Sequence, residues 1–315
     1  MEAYLDNAAT TRASEAVTKL VEEVLLEDFG NPSSRHTKGI KAREYVEKSK
    51  RQIADILKCD MSEIVFTSGG TESNNMAIIG AALANKRSGN HIITTRIEHA
   101  SVYQPFLFLR DFGFEVSFAP VDEYGRVDEK ALLELVTDKT ILVSVMMVNN
   151  EIGALEPVER LAKAVKEKKK DILFHVDAIQ SFGKFEVVPK KLGADLLSVS
   201  GHKIHGPKGS GFLYVKKGTK IKPIIYGGGQ EKGMRSGTEN VPAIAGIGQA
   251  SFDMYANLET NREHMYKLKE SFISKLKEID GVTVNGIPPE GVRATAPHVG
   301  SGSCAGIRSV GLLNS

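Results

Sequence analysis

The chain has 315 residues, 41% of them hydrophobic and 25% charged, with 41 Lys and Arg against 39 Asp and Glu for a net charge of +2. That length exceeds what one growing core serves, so one large domain plus a smaller or incomplete one is expected, and the balanced charge gives no footing for nucleic acid or an acidic membrane surface. The 2 cysteines, Cys59 and Cys304, exclude a disulfide framework and a four-thiolate metal site and fit a reducing compartment.

In chain order, Met1 to Asp6 carries no basic region followed by an apolar stretch, and no segment is long enough to span a bilayer, so the protein reads as cytoplasmic and soluble. Apolar runs of strand length follow: Ile64 to Phe66, Ile92 to Thr95, Val116 to Phe118, Ile141 to Val148, Ile172 to Phe174, Leu196 to Val199 and Gly211 to Val215. Helical patterns lie between them, over Glu72 to Asn85, Glu129 to Val136 and Val158 to Lys168. This alternation predicts an α/β fold with a mostly parallel sheet covered on both faces, and a ligand at the carboxyl ends of its strands. The run Lys166 to Lys170 falls at a helix C-terminus, where the dipole favours solvated cations, and reads as structural rather than as a basic patch. After about residue 250 the alternation gives way to a long charged helix over Thr260 to Ile279 and a strand-like Val282-Thr283-Val284, read as the start of a second, smaller domain.

Four segments at strand ends carry chemistry. Phe66-Thr67-Ser68-Gly69-Gly70-Thr71-Glu72 runs through two glycines into a helix, so its N-H groups and the Thr71 hydroxyl can cradle a phosphate; an ordinary N-cap is the competing reading. Thr95-Arg96-Ile97-Glu98-His99-Ala100-Ser101 places a histidine beside a helix start, either structural or able to stack on a planar cofactor and exchange protons. In Phe174-His175-Val176-Asp177-Ala178-Ile179-Gln180 a carboxylate emerges past a strand. It can hold a pyridine nitrogen protonated, with Gln180 near the ring's phenolate; the alternative is a metal site shared with His175, His202 or His205. Finally, Ser198-Val199-Ser200-Gly201-His202-Lys203 ends a buried strand on a lysine. Partial desolvation there would lower its proton affinity and suit it to a Schiff base with pyridoxal 5'-phosphate, whereas a surface-loop lysine is the plain alternative. The four occurring in order, each at a strand terminus, weigh more than any one of them.

With those segments in view, the chain resembles the fold-type I pyridoxal phosphate enzymes of the class V aminotransferase family, and within them the cysteine desulfurases of the NifS and IscS type. The resemblance runs through Tyr4-Leu5-Asp6-Asn7-Ala8-Ala9-Thr10-Thr11, Gly30-Asn31-Pro32-Ser33-Ser34, Val148-Asn149-Asn150-Glu151-Ile152-Gly153, the Lys203 segment, Gly227-Gly228-Gly229-Gln230-Glu231 and Met234-Arg235-Ser236-Gly237-Thr238. It implies a seven-stranded sheet, with a large cofactor-binding domain over 16–250 and an incomplete small α/β domain from 1–15 plus 251–315. It also implies that Lys203 anchors the cofactor and moves protons, His99 stacks on the ring, and Asp177 pairs with the pyridine nitrogen. Gln180 would reach the phenolic oxygen, Gly70, Thr71, Ser200 and His202 would hold the phosphate, and Asn150 would lie beside cofactor and substrate. Thr238 would reach the phosphate of a neighbouring subunit, so a homodimer follows. No metal is implied.

The implied reaction converts L-cysteine to L-alanine, leaving a persulfide on an enzyme cysteine that passes sulfur to an acceptor or an iron-sulfur scaffold protein. By the resemblance, the nucleophilic cysteine and the arginine for the substrate carboxylate belong beyond Ser315. Cys304, in Gly302-Ser303-Cys304-Ala305-Gly306, is expected in a strand rather than in a shortened nucleophile loop. A selenocysteine lyase-like enzyme and a non-catalytic dimer or scaffold that retains the fold are the alternatives.

Overall fold

The computed structural model describes residues 3–306. In chain order its elements are α1 (Glu15–Leu26), α2 (Thr37–Leu57), β1 (Ile64–Thr67), α3 (Gly70–Asn85), β2 (His91–Thr95), α4 (Ala100–Asp111), β3 (Glu115–Ala119), α5 (Glu129–Leu135) and β4 (Thr140–Met146). There follow α6 (Val158–Lys168), β5 (Leu173–Asp177), α7 (Pro189–Leu192), β6 (Leu196–Ser200), β7 (Gly211–Val215), α8 (Val241–Ala256), α9 (Leu258–Leu276), β8 (Val282–Asn285) and β9 (Ser301–Cys304). Strands β1 to β7 form one seven-stranded sheet in the order β1-β7-β6-β5-β4-β2-β3. It is parallel except for β7, which runs antiparallel to both β1 and β6.

The period of two along the strands builds two cores. Ile93, Val143, Val176, Leu197 and Phe212 point to one face, against Ile53 and Leu57 of α2, Leu161 of α6 and Ile247 of α8. Their chain neighbours Ile92, Leu142, Leu196 and Leu213 point to the other, against Met76 and Ile78 of α3 and Phe106 of α4. With helices on both faces, the strand residues of β1, β2, β4, β6 and β7 are all buried, and none of them is Asp, Glu, Lys or Arg. The carboxyl ends of β1, β2, β4, β5 and β6 open on the same edge, and β5 is the central strand of the sheet.

The seven strand runs and the helix over Val158 to Lys168 coincide with the structure, whereas α1, α2, α4 and α8 lie outside the helical patterns named from the sequence, although α1 carries an apolar face at Val17, Leu20, Val21 and Val24. The buried face of α2 is built largely from Gly39, Ala42, Ser49 and Ala54, small residues that give a helix little apolar signal. Helix α4 contains Pro105. The lysine run at the end of α6 is not simply solvated. Lys166 donates to Asp195 at 2.6 Å and to the Gly193 carbonyl at 2.7 Å, and Lys169 donates to the Thr140 carbonyl at 2.7 Å. Strands β8 and β9 form a separate antiparallel pair in which Cys304 faces Val282, so Cys304 lies in a strand as expected. No helix among the described residues is long and apolar enough to cross a membrane.

Phe182, just past the carboxyl end of β5, is fully buried, packs edge-on against Phe212 at 5.4 Å and sits 5.0 Å from the Tyr255 ring. Phe182→Ala will lower unfolding stability by about 3–5 kcal/mol, read from urea denaturation, because the cavity it leaves lies between sheet and helix and cannot collapse.

Candidate active site

At the junction of β1 and α3 the chain turns through Gly69 at φ 148°, a conformation only glycine adopts without strain. Gly69 supplies no side-chain cap, so the first N-H groups of a 16-residue helix are left free for a ligand. Gly70 packs against Ile179 and Ser200, and a Cβ there would collide with the Ile179 side chain. The junction is braced by a 2.7 Å hydrogen bond between the Thr67 and Ser73 hydroxyls. Glu72 braces it as well, accepting from Ser68 N at 2.8 Å and pairing with Arg235 at 2.8 Å.

Asp177 ends β5 with its carboxylate buried at 4% exposure. It accepts from Ile179 N at 2.9 Å and from Asn74 Nδ2 at 2.8 Å. Burial pushes its pKa up, and those two donors, together with the charges of His99 and Lys203, oppose the rise. The same Asn74 Nδ2 donates to Ser101 Oγ at 2.9 Å, and Ser101 Oγ lies 2.8 Å from His99 Nδ1. His99 also caps α4, accepting from Ser101 N at 3.1 Å. Beneath it, Glu98 is buried and accepts from Thr95 Oγ1 and Met146 N, both at 3.0 Å; burial lifts its carboxyl well above the usual range.

Lys203 follows β6 in a tight turn over Gly201–Lys203. The N-terminal segment clamps this turn: Thr11 donates to the His202 carbonyl through N at 2.8 Å and Oγ1 at 2.9 Å, and Lys203 Nζ donates to the carbonyls of Ala8 at 2.6 Å and Ala9 at 2.8 Å. Burial lowers the Lys203 pKa against the upward pull of Asp177, Asp6 and Glu151. Lys184 lies behind it, donating to the Lys203 carbonyl at 2.7 Å; burial, then the Lys203 charge, brings its ammonium down to about 7. His202, with Nδ1 3.1 Å from Thr10 Oγ1, is lowered to about 4 by burial and by the charges of Lys203, Lys208 and Lys184.

These groups face one cavity of about 440 Å³, within the range of small-molecule sites. Gly70, Thr71, His99, Asn150, Asp177, Gln180, Ser200, His202 and Lys203 all line it. Thr238 does not: it is exposed and lines a separate hollow with Glu231 and Arg235. Neither Cys59 nor Cys304 lines the main cavity. Of the histidines considered as metal ligands with Asp177, His175 and His205 are engaged elsewhere. His175 sits between Ser144 Oγ at 2.7 Å and Ser198 Oγ at 3.0 Å, and His205 Nδ1 meets the Arg12 carbonyl at 2.9 Å. Among the described residues no three His, Cys, Asp or Glu side chains group to hold a metal ion.

Asn74, Ser101 and His298, like Lys184 and Glu98, are not among the site residues expected from the sequence. Asn74 and Ser101 sat in plain view beside Gly70 and His99, and the four-residue spacing that puts Asn74 on the same helix face as Gly70 was the available signal. His298, whose Nε2 lies 3.0 Å from Gln180 Oε1, gave none, because it reaches the site from a segment far along the chain. Gln180 Nε2 in turn donates to the Ala8 carbonyl at 2.9 Å.

A buried carboxylate, a desolvated lysine and an open helix N-terminus at the strand ends of a mostly parallel sheet define a fold-type I pyridoxal phosphate enzyme. The family model described as aminotransferase class-V matches residues 3–301. The cysteine desulfurase IscS of Dictyoglomus turgidum is 46% identical over 286 residues, spanning 90% of this chain and 72% of that protein. The cysteine desulfurase IscS of Methanosarcina thermophila is 43% identical over 287 residues, covering 91% and 70%. Among solved structures, a NifS-like protein superposes with a TM-score of 0.96 at 41% identity, over 100% of this chain and 85% of that one. A structure described as SspA in complex with cysteine gives 0.79 at 35% identity, over 90% and 80%. The chain belongs to the class-V aminotransferase family. The residues present fit pyridoxal phosphate: the start of α3 has no side-chain cap and opens on the cavity through Gly70 and Thr71, where a phosphate would meet free N-H groups, and Asp177 is a buried acceptor suited to a protonated ring nitrogen.

His175, fully buried directly behind Asp177, is held down to about 3 by burial, against an ordinary value of 6.5. The folded value lies below the unfolded one, so the unfolded chain takes up the proton first as pH falls. The stability is therefore complete above pH 6.5 and lost progressively below it, down to about 3. Urea midpoints will fall below that pH with a slope contribution from His175 of up to about 1.4 kcal/mol per pH unit. His175→Asn will flatten this dependence.

Proposed function

We propose that this protein is a pyridoxal-phosphate-dependent cysteine desulfurase that converts L-cysteine to L-alanine and passes the sulfur to a thiol. The observation that carries the reading is the convergence of Lys203, Asp177 and the open start of α3 on one cavity. Relatives named for cysteine desulfuration weigh against the selenocysteine and non-catalytic alternatives.

When bound, the cofactor supplies an electron sink that stabilises negative charge at the substrate Cα. Gly70 and Thr71 hold its phosphate at the positive end of α3, with Ser200 and His202 completing the cradle. Asp177 would accept from the protonated ring nitrogen, Gln180 would donate to the phenolic oxygen, His99 would cover the ring face, and Asn150 would lie beside cofactor and substrate. Lys203 anchors the cofactor through Nζ and then carries a proton to and from the substrate. Burial lowers its proton affinity, which favours an amine that exchanges that proton.

In this reading the chain acts as a homodimer, with the exposed Thr238 reaching the phosphate of a second copy. It divides into a large cofactor-binding domain over 16–250 and a smaller one from 1–15 and 251–315. The sulfur goes on to an acceptor or iron-sulfur scaffold protein in the cytoplasm.

Borohydride treatment of the protein loaded with pyridoxal phosphate will fix the cofactor on Lys203, located by peptide mass. Lys203→Ala will lose the label and reduce alanine formation from L-cysteine, with a dithiol present as sulfur acceptor, by about a thousandfold or more. No cofactor uptake, or a label on another lysine, would overturn the reading. Subunit sharing has its own test. A hybrid of Lys203→Ala and Thr238→Ala copies carries one site with neither change, and that site will turn over faster than a site in the Thr238→Ala dimer. Equal rates per site would show that Thr238 serves its own chain.

A further inference from the structure

Asn74 stands out because it is fully buried yet only half used. Its amide nitrogen donates to both Asp177 Oδ2 and Ser101 Oγ, while its Oδ1 has no partner. A buried acceptor without a donor is a standing cost, and a leucine would fill the same space without it. What the amide brings is its two hydrogens. The orientation of that amide follows from chemistry: a carboxylate only accepts, so the nitrogen faces Asp177.

The consequence reaches His99. Ser101 Oγ receives one Asn74 hydrogen, which leaves its own hydrogen directed at His99 Nδ1, 2.8 Å away. Ser101 N points at the same ring nitrogen from 3.1 Å. Two donors converge on Nδ1, so Nδ1 is the acceptor and the neutral ring carries its proton on Nε2.

We propose that Asn74 is a positioning residue that ties Asp177 and His99 into one hydrogen-bonded unit, fixing Asp177 as an acceptor for the ring nitrogen and His99 in the tautomer protonated on Nε2. The inference rests on the reading of this cavity as a pyridoxal phosphate site. It makes the two groups interdependent: loosening Asn74 frees the Ser101 hydroxyl to accept from His99 Nδ1, lets the imidazole tautomers mix, and leaves the Asp177 carboxylate with Ile179 N as its one remaining donor in this set.

The test begins without the cofactor. Ring-nitrogen NMR of isotope-labelled histidine in the cofactor-free protein will show His99 Nδ1 unprotonated and Nε2 protonated in the wild type. In Asn74→Leu, the His99 nitrogens will move toward each other while the melting temperature is kept. Ser101→Ala, which leaves Asn74 and the core intact, will shift the same pair of signals and covers the case in which Asn74→Leu fails to fold. Loaded with pyridoxal phosphate, Asn74→Leu will lose about tenfold or more in kcat with KM for L-cysteine little changed, the scale on which an outer hydrogen bond orients a functional group. A His99 pattern unchanged in both variants, or a folded Asn74→Leu with wild-type kcat, overturns the proposal, because a space-filling Asn74 moves neither. A wild type that takes up no pyridoxal phosphate overturns the functional reading instead, and the ring-nitrogen pattern reports on the unit separately.

Discussion

The Asp177 carboxylate is buried at the end of the central strand, and among the described residues no salt bridge reaches it. A charge in that position is costly unless its lone pairs are satisfied. Ile179 N-H and the Asn74 amide satisfy two of them, one donor from the loop that follows β5 and one from α3 on the far side of the cavity floor. The dependence runs outward from there. Helix α3 must start where it does to bring Asn74 to Asp177, and starting there points its free N-H groups at the same cavity. Gly70, its first residue, is what lets the helix approach Ile179 so closely.

Around this buried carboxylate the structure gathers basic groups whose charge it disfavours. Burial lowers the proton affinity of Lys203, Lys184, His202 and His298, and Lys203 depresses the other three further. Such a cluster is costly when empty and is relieved by an anion, so a ligand carrying a phosphate and a carboxylate is the natural complement. Burial likewise disfavours the charged form of Glu98. The fold thus presents a lysine whose proton affinity burial lowers beside an acceptor for a protonated ring, two electrostatic features that suit pyridoxal chemistry.

Much of this was legible in the sequence because the sheet is covered on both faces. Buried strands appear as short, mostly apolar runs without Asp, Glu, Lys or Arg in their middle, and the charged residue that follows within a few positions, as at Asp177 and Lys203, marks a strand end. Helices packed through small residues left no such mark, which is why α2 and α8 were not drawn. The site residues lining the cavity were legible as strand-end chemistry, but the residues that hold them were not. Asn74, Ser101 and His298 act through contacts formed only when α3, α4 and a segment near residue 298 converge, and linear spacing carries no trace of that except the helical step from Gly70 to Asn74. Thr238 illustrates the opposite case: its motif was legible, yet its place lies outside the cavity of its own chain.

A crystal structure of the protein loaded with pyridoxal phosphate tests the central claim most directly. The account predicts continuous density from Lys203 Nζ to the cofactor, the ring nitrogen within hydrogen-bond distance of the Asp177 carboxylate, and the phosphate at the start of α3. A cofactor seated elsewhere, such as in the groove between α3 and α4, or one whose ring nitrogen faces away from Asp177, would contradict it.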